Sequence, residues 1–156
     1  MDRRRAPRTT ELAPLEEEIL SSSPEETLEF AKKIRRILRP GAILCLTGEL
    51  GAGKTTFVKG IASCAGDLSE REVSSPTFSY LHIYPGEVPI YHFDLYRLKS
   101  AEEFSALGFD EYLNAGGICC IEWAERIESL LPKHSLFLSF THVEEEKRKI
   151  ARFDWA

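Results

Sequence analysis

A glycine-rich stretch with the sequence GELGAGKTT, Gly48 to Thr56, follows directly after the apolar run 42–47. It fits the pattern G-x-x-x-x-G-K-[ST], in which a strand precedes the loop and a helix follows it. The glycines let the backbone turn its N–H groups onto phosphate oxygens, and the helix N-terminus adds the positive end of a dipole. Lys54 is expected to reach the terminal phosphates and Thr55 to bind Mg²⁺ through its hydroxyl. The stretch therefore predicts a nucleotide phosphate site.

The base of the nucleotide is inferred from patterns outside the loop. A guanine site of the GTPase kind would carry N-K-x-D and a switch of the form D-x-x-G, and neither occurs in the sequence. Adenine recognition has no comparable signature. We therefore expect ATP, bound together with Mg²⁺.

Two acidic residues stand directly after apolar, strand-like runs. Asp94 closes the run PIYHFD, and Glu122 closes the run GICCIE. Ligands of α/β proteins bind at the carboxyl ends of strands, so both acids are expected at the mouth of the sheet. One of them should hold Mg²⁺, directly or through water, while the other orients the attacking water. Glu122 ends the more apolar strand and is the expected metal ligand, which leaves Asp94 as the water or switch residue.

A third candidate is the stretch SSPT, Ser74 to Thr77, which lies between the predicted loop helix and the next β-rich run. A threonine on a mobile segment there could bring its hydroxyl to the γ-phosphate and Mg²⁺, as switch segments do. Taken alone, the composition of this stretch favours an ordinary loop. Trp123, beside Glu122, is by itself more typical of a core residue than of a nucleotide contact.

The elements that must position these residues follow from caps, breakers and apolar periodicity. In chain order they are a helix from the capping box at Ser23 to the stop at 39–41, a strand over 42–47, a helix over about 54–65, a polar loop over 67–76, a hairpin of the runs 78–84 and 89–96, a short helix from Ser100 to Gly108, a strand over 117–121, a helix over roughly 124–131, and strands over 136–143 and 149–155 joined by the charged turn 144–148. This order predicts an α/β, P-loop NTPase-like three-layer fold, with a mixed parallel and antiparallel central sheet flanked by helices. We expect residues 1–20 to form a flexible N-terminal arm and residues 21–156 to form a single P-loop ATPase domain.

Composition limits the classes of function. The net charge is −5 and the pI about 5.5, so the chain lacks the basic field of a dedicated nucleic-acid binder, apart from the arm Arg3–Arg8. No apolar run approaches the ~20 residues of a membrane span, and the start of the chain lacks the apolar segment of a secretory signal. The four cysteines form no C-x-x-C pair, and the histidines have no metal-ligand spacing with them. We therefore expect a cytoplasmic protein with buried thiols, no zinc and no membrane contact.

Five stretches, in this order, resemble one family: GELGAGKTT, SSPTFSY, YHFDLYRL, LGFDEYL and IEWAERI. They are similar to the TsaE family, formerly YjeE, of bacterial tRNA threonylcarbamoyladenosine biosynthesis ATPases. The resemblance covers roughly residues 24–145. The loop alone is generic, whereas the other motifs in this order are specific. Residues 1–20 match nothing in the family pattern, and Ala124 stands where a proline is common after the tryptophan.

The resemblance implies a small P-loop ATPase that acts with two partner proteins of the TsaD and TsaB type and meets tRNA indirectly, through their complex. That assembly attaches a threonylcarbamoyl group to the adenosine beside the anticodon of tRNAs that read codons beginning with A. The ATPase is implied to reset the transfer complex between turnovers. A domain this small, with its acids on exposed loops, is expected to hydrolyse ATP slowly until a partner completes the site.

The resemblance also carries roles onto matching positions. The implied nucleotide contacts are Gly48, Glu49, Leu50, Gly51, Ala52, Gly53, Lys54, Thr55, Thr56 and Trp123. The implied catalytic residues are Lys54, Asp94, Glu122 and the switch-like Thr77. The implied Mg²⁺ ligands are Thr55 and Glu122.

Two other classes of protein stay open on the sequence. A small-molecule kinase would need a lid with several arginines between the second acid and the last strands, where residues 124–135 offer only Arg126. A nucleotide-binding interaction module without useful turnover would share every motif described above. Phosphate release by the purified protein separates the module from an ATPase.

Overall fold

The computed structural model of the chain describes residues 18–49, 53–63, 79–144 and 147–153. Its elements in chain order are β1 (Glu18–Ser21), α1 (Pro24–Ile37), β2 (Ile43–Gly48), α2 (Lys54–Ser63), β3 (Leu81–Tyr84), β4 (Ile90–Asp94), α3 (Ala101–Ala106), a first 3₁₀ helix (Phe109–Asn114), β5 (Ile118–Glu122), a second 3₁₀ helix (Ala124–Leu130), β6 (Leu136–Glu144) and β7 (Lys147–Phe153). No helix among these residues is long and apolar enough to cross a membrane.

The described strands form a seven-stranded sheet in the order β1-β7-β6-β2-β5-β4-β3. The four strands from β6 to β4 run parallel, and the pairs at the two edges are antiparallel. Because β2, β4, β5 and β6 are parallel, their carboxyl ends meet at one edge of the sheet. The mixed sheet that the order of elements predicted is confirmed.

Side chains along β2 point alternately to the two faces of the sheet, and so the core has two layers. Leu44 and Leu46 pack with the residues of α1 and α2 on one face, and Ile43 and Cys45 pack with α3 and the 3₁₀ helices on the other. Phe57 of α2 lies in the first layer, with its ring 6.0 Å from that of Phe30 and 5.5 Å from that of Phe140. These contacts fix α2 over the parallel strands and give the expected three-layer arrangement.

Helix α1 begins where the capping box predicted. The Ser23 hydroxyl accepts a hydrogen bond from the Glu26 N–H at 3.1 Å, and Pro24 occupies the first turn. The Glu26 carboxylate accepts in turn from the N–H of Ser22 at 3.2 Å. The two helices on this face approach closely, because a Cβ at Gly60 would lie only 2.5 Å from the Cβ of Ala31.

The structure corrects three expectations. Residues 18–20, assigned above to the flexible arm, belong to β1, whose backbone pairs with β7. The helix expected over 124–131 is replaced by 3₁₀ turns over 124–130 with a kink at Ile127, whose φ of −127° and ψ of 30° are not helical, and Ala124, Ile127 and Leu130 pack against the core. The charged turn expected over 144–148 is shorter, because β6 continues to Glu144 and β7 begins at Lys147.

Several expectations concern residues outside the described part of the chain. These are residues 1–17 of the arm, the end of the loop helix with its closing glycine, the polar loop 67–76 and the start of the first hairpin run. Organisation as a single domain stays a prediction.

Candidate nucleotide site

The loop between β2 and α2 is framed by two glycines in conformations that favour glycine. Gly48 has a φ of +137° and Gly53 a φ of +101°. A Cβ at Gly48 would also collide with the carbonyl oxygen of Phe140, its partner in the β2–β6 register. Glycine is therefore required at position 48 both by the backbone angle and by the neighbouring strand. Residues 50–52 lie outside the described residues, so the phosphate contacts predicted for Leu50, Gly51 and Ala52 stay predictions.

Lys54 is the first residue of α2, and its side chain is buried, with 3% of the residue exposed. Its ammonium donates a hydrogen bond to the carbonyl of Gly48 and lies 4.4 Å from the centre of the Trp123 ring. Burial lowers the pKa of Lys54 from its usual 10.5, and the negative charges of Glu122, Glu125 and Asp94 oppose that shift. The lysine thus places a desolvated positive charge at the helix N-terminus, where an anion binds best.

Thr55 and Glu122 bring their oxygens together beside Lys54. Glu122 is the last residue of β5 and is buried, and the register pairs it with Leu46 of β2 and Asp94 of β4. The Thr55 hydroxyl lies 3.4 Å from each oxygen of its carboxylate. A hydroxyl and a carboxylate are hard oxygen donors of the kind that Mg²⁺ prefers.

Asp94 lies beside Glu122 at the end of the neighbouring strand but has different partners. One of its carboxylate oxygens accepts a hydrogen bond from the N–H of Tyr96 at 3.0 Å. Its own N–H donates to the carbonyl of Tyr80 at 2.9 Å, and Tyr80 has a left-handed φ of 67°. The two acids are therefore close together, as the strand ends predicted, and both are buried rather than exposed on loops. A backbone N–H contacts the carboxylate of Asp94, whereas side chains contact that of Glu122.

Trp123 follows Glu122 in a left-handed conformation, with φ 62° and ψ 41°. Its N–H donates to the carbonyl of Leu46 at 3.2 Å, which extends the pairing of β5 with β2. Its half-buried ring lies 5.0 Å from the ring of Tyr96 and 5.7 Å from the guanidinium of Arg126. Residues other than glycine are uncommon at positive φ and cluster at functional sites. The structure therefore places Trp123 at the rim of the site, against the loop lysine.

The predicted residues that the structure brings together are Gly48, Gly53, Lys54, Thr55, Asp94, Glu122 and Trp123. Glu49 is exposed and Thr56 is half-buried. Neither takes part in the described contacts between Lys54, Thr55, Glu122 and Trp123. Thr77 lies outside the described residues, so its switch role stays a prediction.

Sequence reasoning missed His92. This residue is fully buried on β4, and its Nε2 lies 2.6 Å from Oε2 of Glu122. The signal was present, because His92 and Asp94 are polar residues two apart in an otherwise apolar run and so share one face of the strand. Spacing relative to the cysteines, which is the pattern of a zinc site, does not reveal this contact.

The donor set fits Mg²⁺ bound together with a nucleotide. Within the described residues, no group of three or more histidine, cysteine or acidic side chains is placed to hold a metal ion. Mg²⁺ that accompanies a nucleotide is usually held by one or two protein oxygens, with phosphates and water completing the shell. The pair formed by Thr55 and Glu122 is of that kind, and Lys54 beside it supplies the positive charge for the phosphates.

The cysteines in the described residues are free, buried thiols, as expected. They are Cys45, Cys119 and Cys120. Burial raises the pKa of Cys119 to about 12 and that of the other two above their usual value. Cys64 lies outside the described residues.

A mixed sheet whose parallel strands end at a glycine-framed loop, followed by a helix that begins Lys-Thr, defines a P-loop NTPase-like protein. The fold resembles the crystal structure of YdiB from Bacillus subtilis, with a TM-score of 0.70 and 35% identity, over 86% of this chain and 82% of that one. A model of the family described as threonylcarbamoyl adenosine biosynthesis protein TsaE matches residues 21–150. The chain belongs to this family.

Individual relatives agree with the family model. The chain is 43% identical over 129 residues to the tRNA threonylcarbamoyladenosine biosynthesis protein TsaE of Bacillus subtilis strain 168, covering 82% of this chain and 79% of that protein. It is 39% identical over 131 residues to the protein of the same name from Treponema pallidum strain Nichols, covering 84% and 96%. The resemblance derived from the five motifs is therefore confirmed.

Proposed function

We propose that the chain is an Mg²⁺-dependent ATPase of tRNA threonylcarbamoyladenosine biosynthesis. Membership of the TsaE family supports the pathway. The observation that carries the proposal is the convergence, at the start of α2, of a buried lysine with a hydroxyl and a carboxylate. Burying those charges is unfavourable unless they are paired, and a phosphate with its metal ion supplies the pairing.

The residues have separate roles in the proposed reaction. When bound, MgATP supplies the γ-phosphoryl group that is transferred to water. Lys54 would offset the negative charge that develops on the phosphates, and Thr55 and Glu122 would hold the metal ion. Asp94, fixed by the N–H of Tyr96, orients the attacking water. Trp123, whose ring centre lies 4.4 Å from the Lys54 ammonium, would contact the nucleotide.

Partners of the TsaD and TsaB type complete the proposed function, and tRNA is met indirectly, through their complex in the cytoplasm. The acidic net charge of −5 supports a delegated contact with RNA. The proposed switch residue, Thr77, belongs to the segment between α2 and β3. A partner that docks over this segment would complete the site, so intrinsic hydrolysis should be slow and should rise in the complex.

The test is ATP hydrolysis by the purified chain, alone and with the TsaD- and TsaB-type proteins of the same organism, together with co-elution in ATP and in ADP. We expect slow hydrolysis alone, a clear rise with both partners, and tighter association in ATP than in ADP. By linkage, a partner that strengthens ATP binding must itself be bound more tightly when ATP is present. Fast solo hydrolysis that partners do not change, without nucleotide-dependent association, would contradict the proposal. Tight ATP binding without turnover in any mixture would leave a nucleotide-binding module.

A further inference from the structure

We propose that His92 is the positioning residue of Glu122: its imidazole holds one carboxylate oxygen so that the carboxylate faces the Thr55 hydroxyl and the metal ion. The inference rests on the proposed function, because it assigns a role within the same Mg²⁺–nucleotide site. It extends that function to a residue two positions before Asp94 that touches neither Thr55 nor Lys54 among the described contacts.

The geometry is that of a charge-assisted hydrogen bond. His92 Nε2 lies 2.6 Å from Glu122 Oε2, and both side chains are buried, at 0% and 5% exposure. His92 pairs with Cys120 in the β4–β5 register, so the contact crosses diagonally between two neighbouring parallel strands. A bond of this length between buried groups is stronger than one in water, and it removes one rotational freedom of the carboxylate.

The direction of the bond follows from the chemistry of the two groups. An ionised carboxylate only accepts hydrogen bonds, so Nε2 of His92 must carry a proton. The other nitrogen, Nδ1, faces the hydroxyl of Tyr84 at 3.5 Å, and the two rings pack with their centres 6.1 Å apart. Tyr84 of β3 thus contacts the imidazole on the side opposite to Glu122, to which Nε2 donates.

The consequence concerns the metal ion. Both carboxylate oxygens lie 3.4 Å from the Thr55 hydroxyl, and the imidazole occupies a lone pair of only one of them. Without His92 the buried carboxylate would lose its closest described hydrogen-bond donor and the restraint on its rotation. Partners that orient a metal-binding carboxylate typically contribute about 10–100-fold to metal affinity or activity.

A matched pair of substitutions tests this role. In His92→Gln the side-chain amide nitrogen can reach the position of imidazole Nε2, whereas in His92→Asn it reaches only as far as Nδ1. The measurement is the affinity for ADP and for a non-hydrolysable ATP analogue, by calorimetry, with Mg²⁺ and with EDTA. His134→Gln, at a histidine that contacts the Gly41 carbonyl at 3.3 Å, serves as the control.

We expect His92→Asn to reduce the Mg²⁺-dependent gain in nucleotide affinity by about 10–100-fold, with the affinity in EDTA little changed. His92→Gln should recover most of that gain, and His134→Gln should behave as the wild type. A folded His92→Asn protein with the wild-type gain would overturn the proposal. Equal losses in Asn and Gln variants, with and without Mg²⁺, would also overturn it, because they would reduce His92 to a packing residue.

A ligand-free measurement decides the question if the variants do not fold. Nitrogen-15 spectra of the wild-type imidazoles should show a protonated Nε2 in His92, with a slowly exchanging proton whose resonance moves on Glu122→Gln. An unprotonated Nε2 would refute the donation from His92 to the Glu122 carboxylate, and the proposal with it. Failure of the proposed function is a different result: the wild-type chain would bind no nucleotide, or Mg²⁺ would not increase its affinity for the nucleotide. The spectra would still report on the contact between His92 and Glu122 in that case.

Discussion

Substitution of Lys54 by methionine should separate ligand binding from folding. Methionine keeps the length and most of the apolar stem of lysine but removes its charge. In the folded chain the ammonium is buried, and its pKa is lowered by that burial, so the environment on balance disfavours the charged form. We therefore expect Lys54→Met to lose turnover without losing the fold.

The magnitudes follow from the contacts. The lost hydrogen bond to the Gly48 carbonyl stabilises the folded chain by about 1.5–3 kcal/mol, as is usual for a charged donor. Desolvation of a buried ammonium costs several kcal/mol, of which the nearby acids recover a part, so the net change in the free energy of unfolding should stay within about 2 kcal/mol. Removal of one charged donor from a phosphoryl-transfer site should lower turnover by about 10²–10³-fold.

The assays are urea unfolding followed by circular dichroism, and phosphate release at saturating ATP in the presence of the partner proteins. Lys59→Met, at a half-buried position on the same helix, is the matched control and should leave turnover unchanged. Wild-type turnover in Lys54→Met would refute the assignment of the loop. A loss of stability well above about 3 kcal/mol would instead show that the charge is structural, which contradicts the reasoning from its lowered pKa.

Three further predictions concern the same edge of the sheet. Thr55→Ala should weaken nucleotide binding more with Mg²⁺ than without it, because only the metal contact of the hydroxyl is lost, and equal losses in calorimetry would count against that role. Glu122→Gln should shift the Mg²⁺ concentration needed for hydrolysis. Asp94→Asn should keep nucleotide binding and lower the rate of hydrolysis by about 10²–10⁴-fold, as for a general base. Unchanged turnover in both variants would show that neither acid belongs to the site. Gly48→Ala should destabilise the protein by more than the ~1–2 kcal/mol that a left-handed conformation costs, because the added Cβ would meet the Phe140 carbonyl of β6. Gly108→Ala is the control, because Gly108 has a φ of +79° and open space around it, so only the backbone cost should appear. Denaturant unfolding measures both variants.

Local patterns were sufficient for the features that a short stretch determines by itself. The cap at Ser23 predicted the start of α1, because the capping residue and its partner lie three positions apart. The apolar runs that end in Asp94 and Glu122 predicted two strand ends, and parallel strands necessarily bring such ends to one edge. The acidic pair was therefore found without knowledge of the register.

Features that depend on contacts between distant segments were not predicted. β1 is a short edge strand whose pairing with β7 joins residues about as far apart as the chain permits. The contact of His92 with Glu122 depends on the β4–β5 register, which no local pattern specifies. The left-handed conformation of Trp123 likewise has no signal in residue type, because tryptophan is not a residue that favours positive φ.

The distribution of buried polar groups argues that this edge of the sheet is selected for binding rather than for stability. In the described part of the chain the buried polar or charged residues are Ser21, Thr27, Lys54, His92, Asp94 and Glu122. The first two satisfy each other through a hydroxyl–hydroxyl bond of 2.7 Å at the start of α1. The other four lie together at the edge where the parallel strands end. Burial of such polar groups costs free energy that their mutual hydrogen bonds offset only in part, and a bound anion with its counter-ion would offset more of it. A scaffold optimised for folding alone would place apolar side chains there, and that cost is the physical reason to regard His92 as part of the site rather than as part of the core.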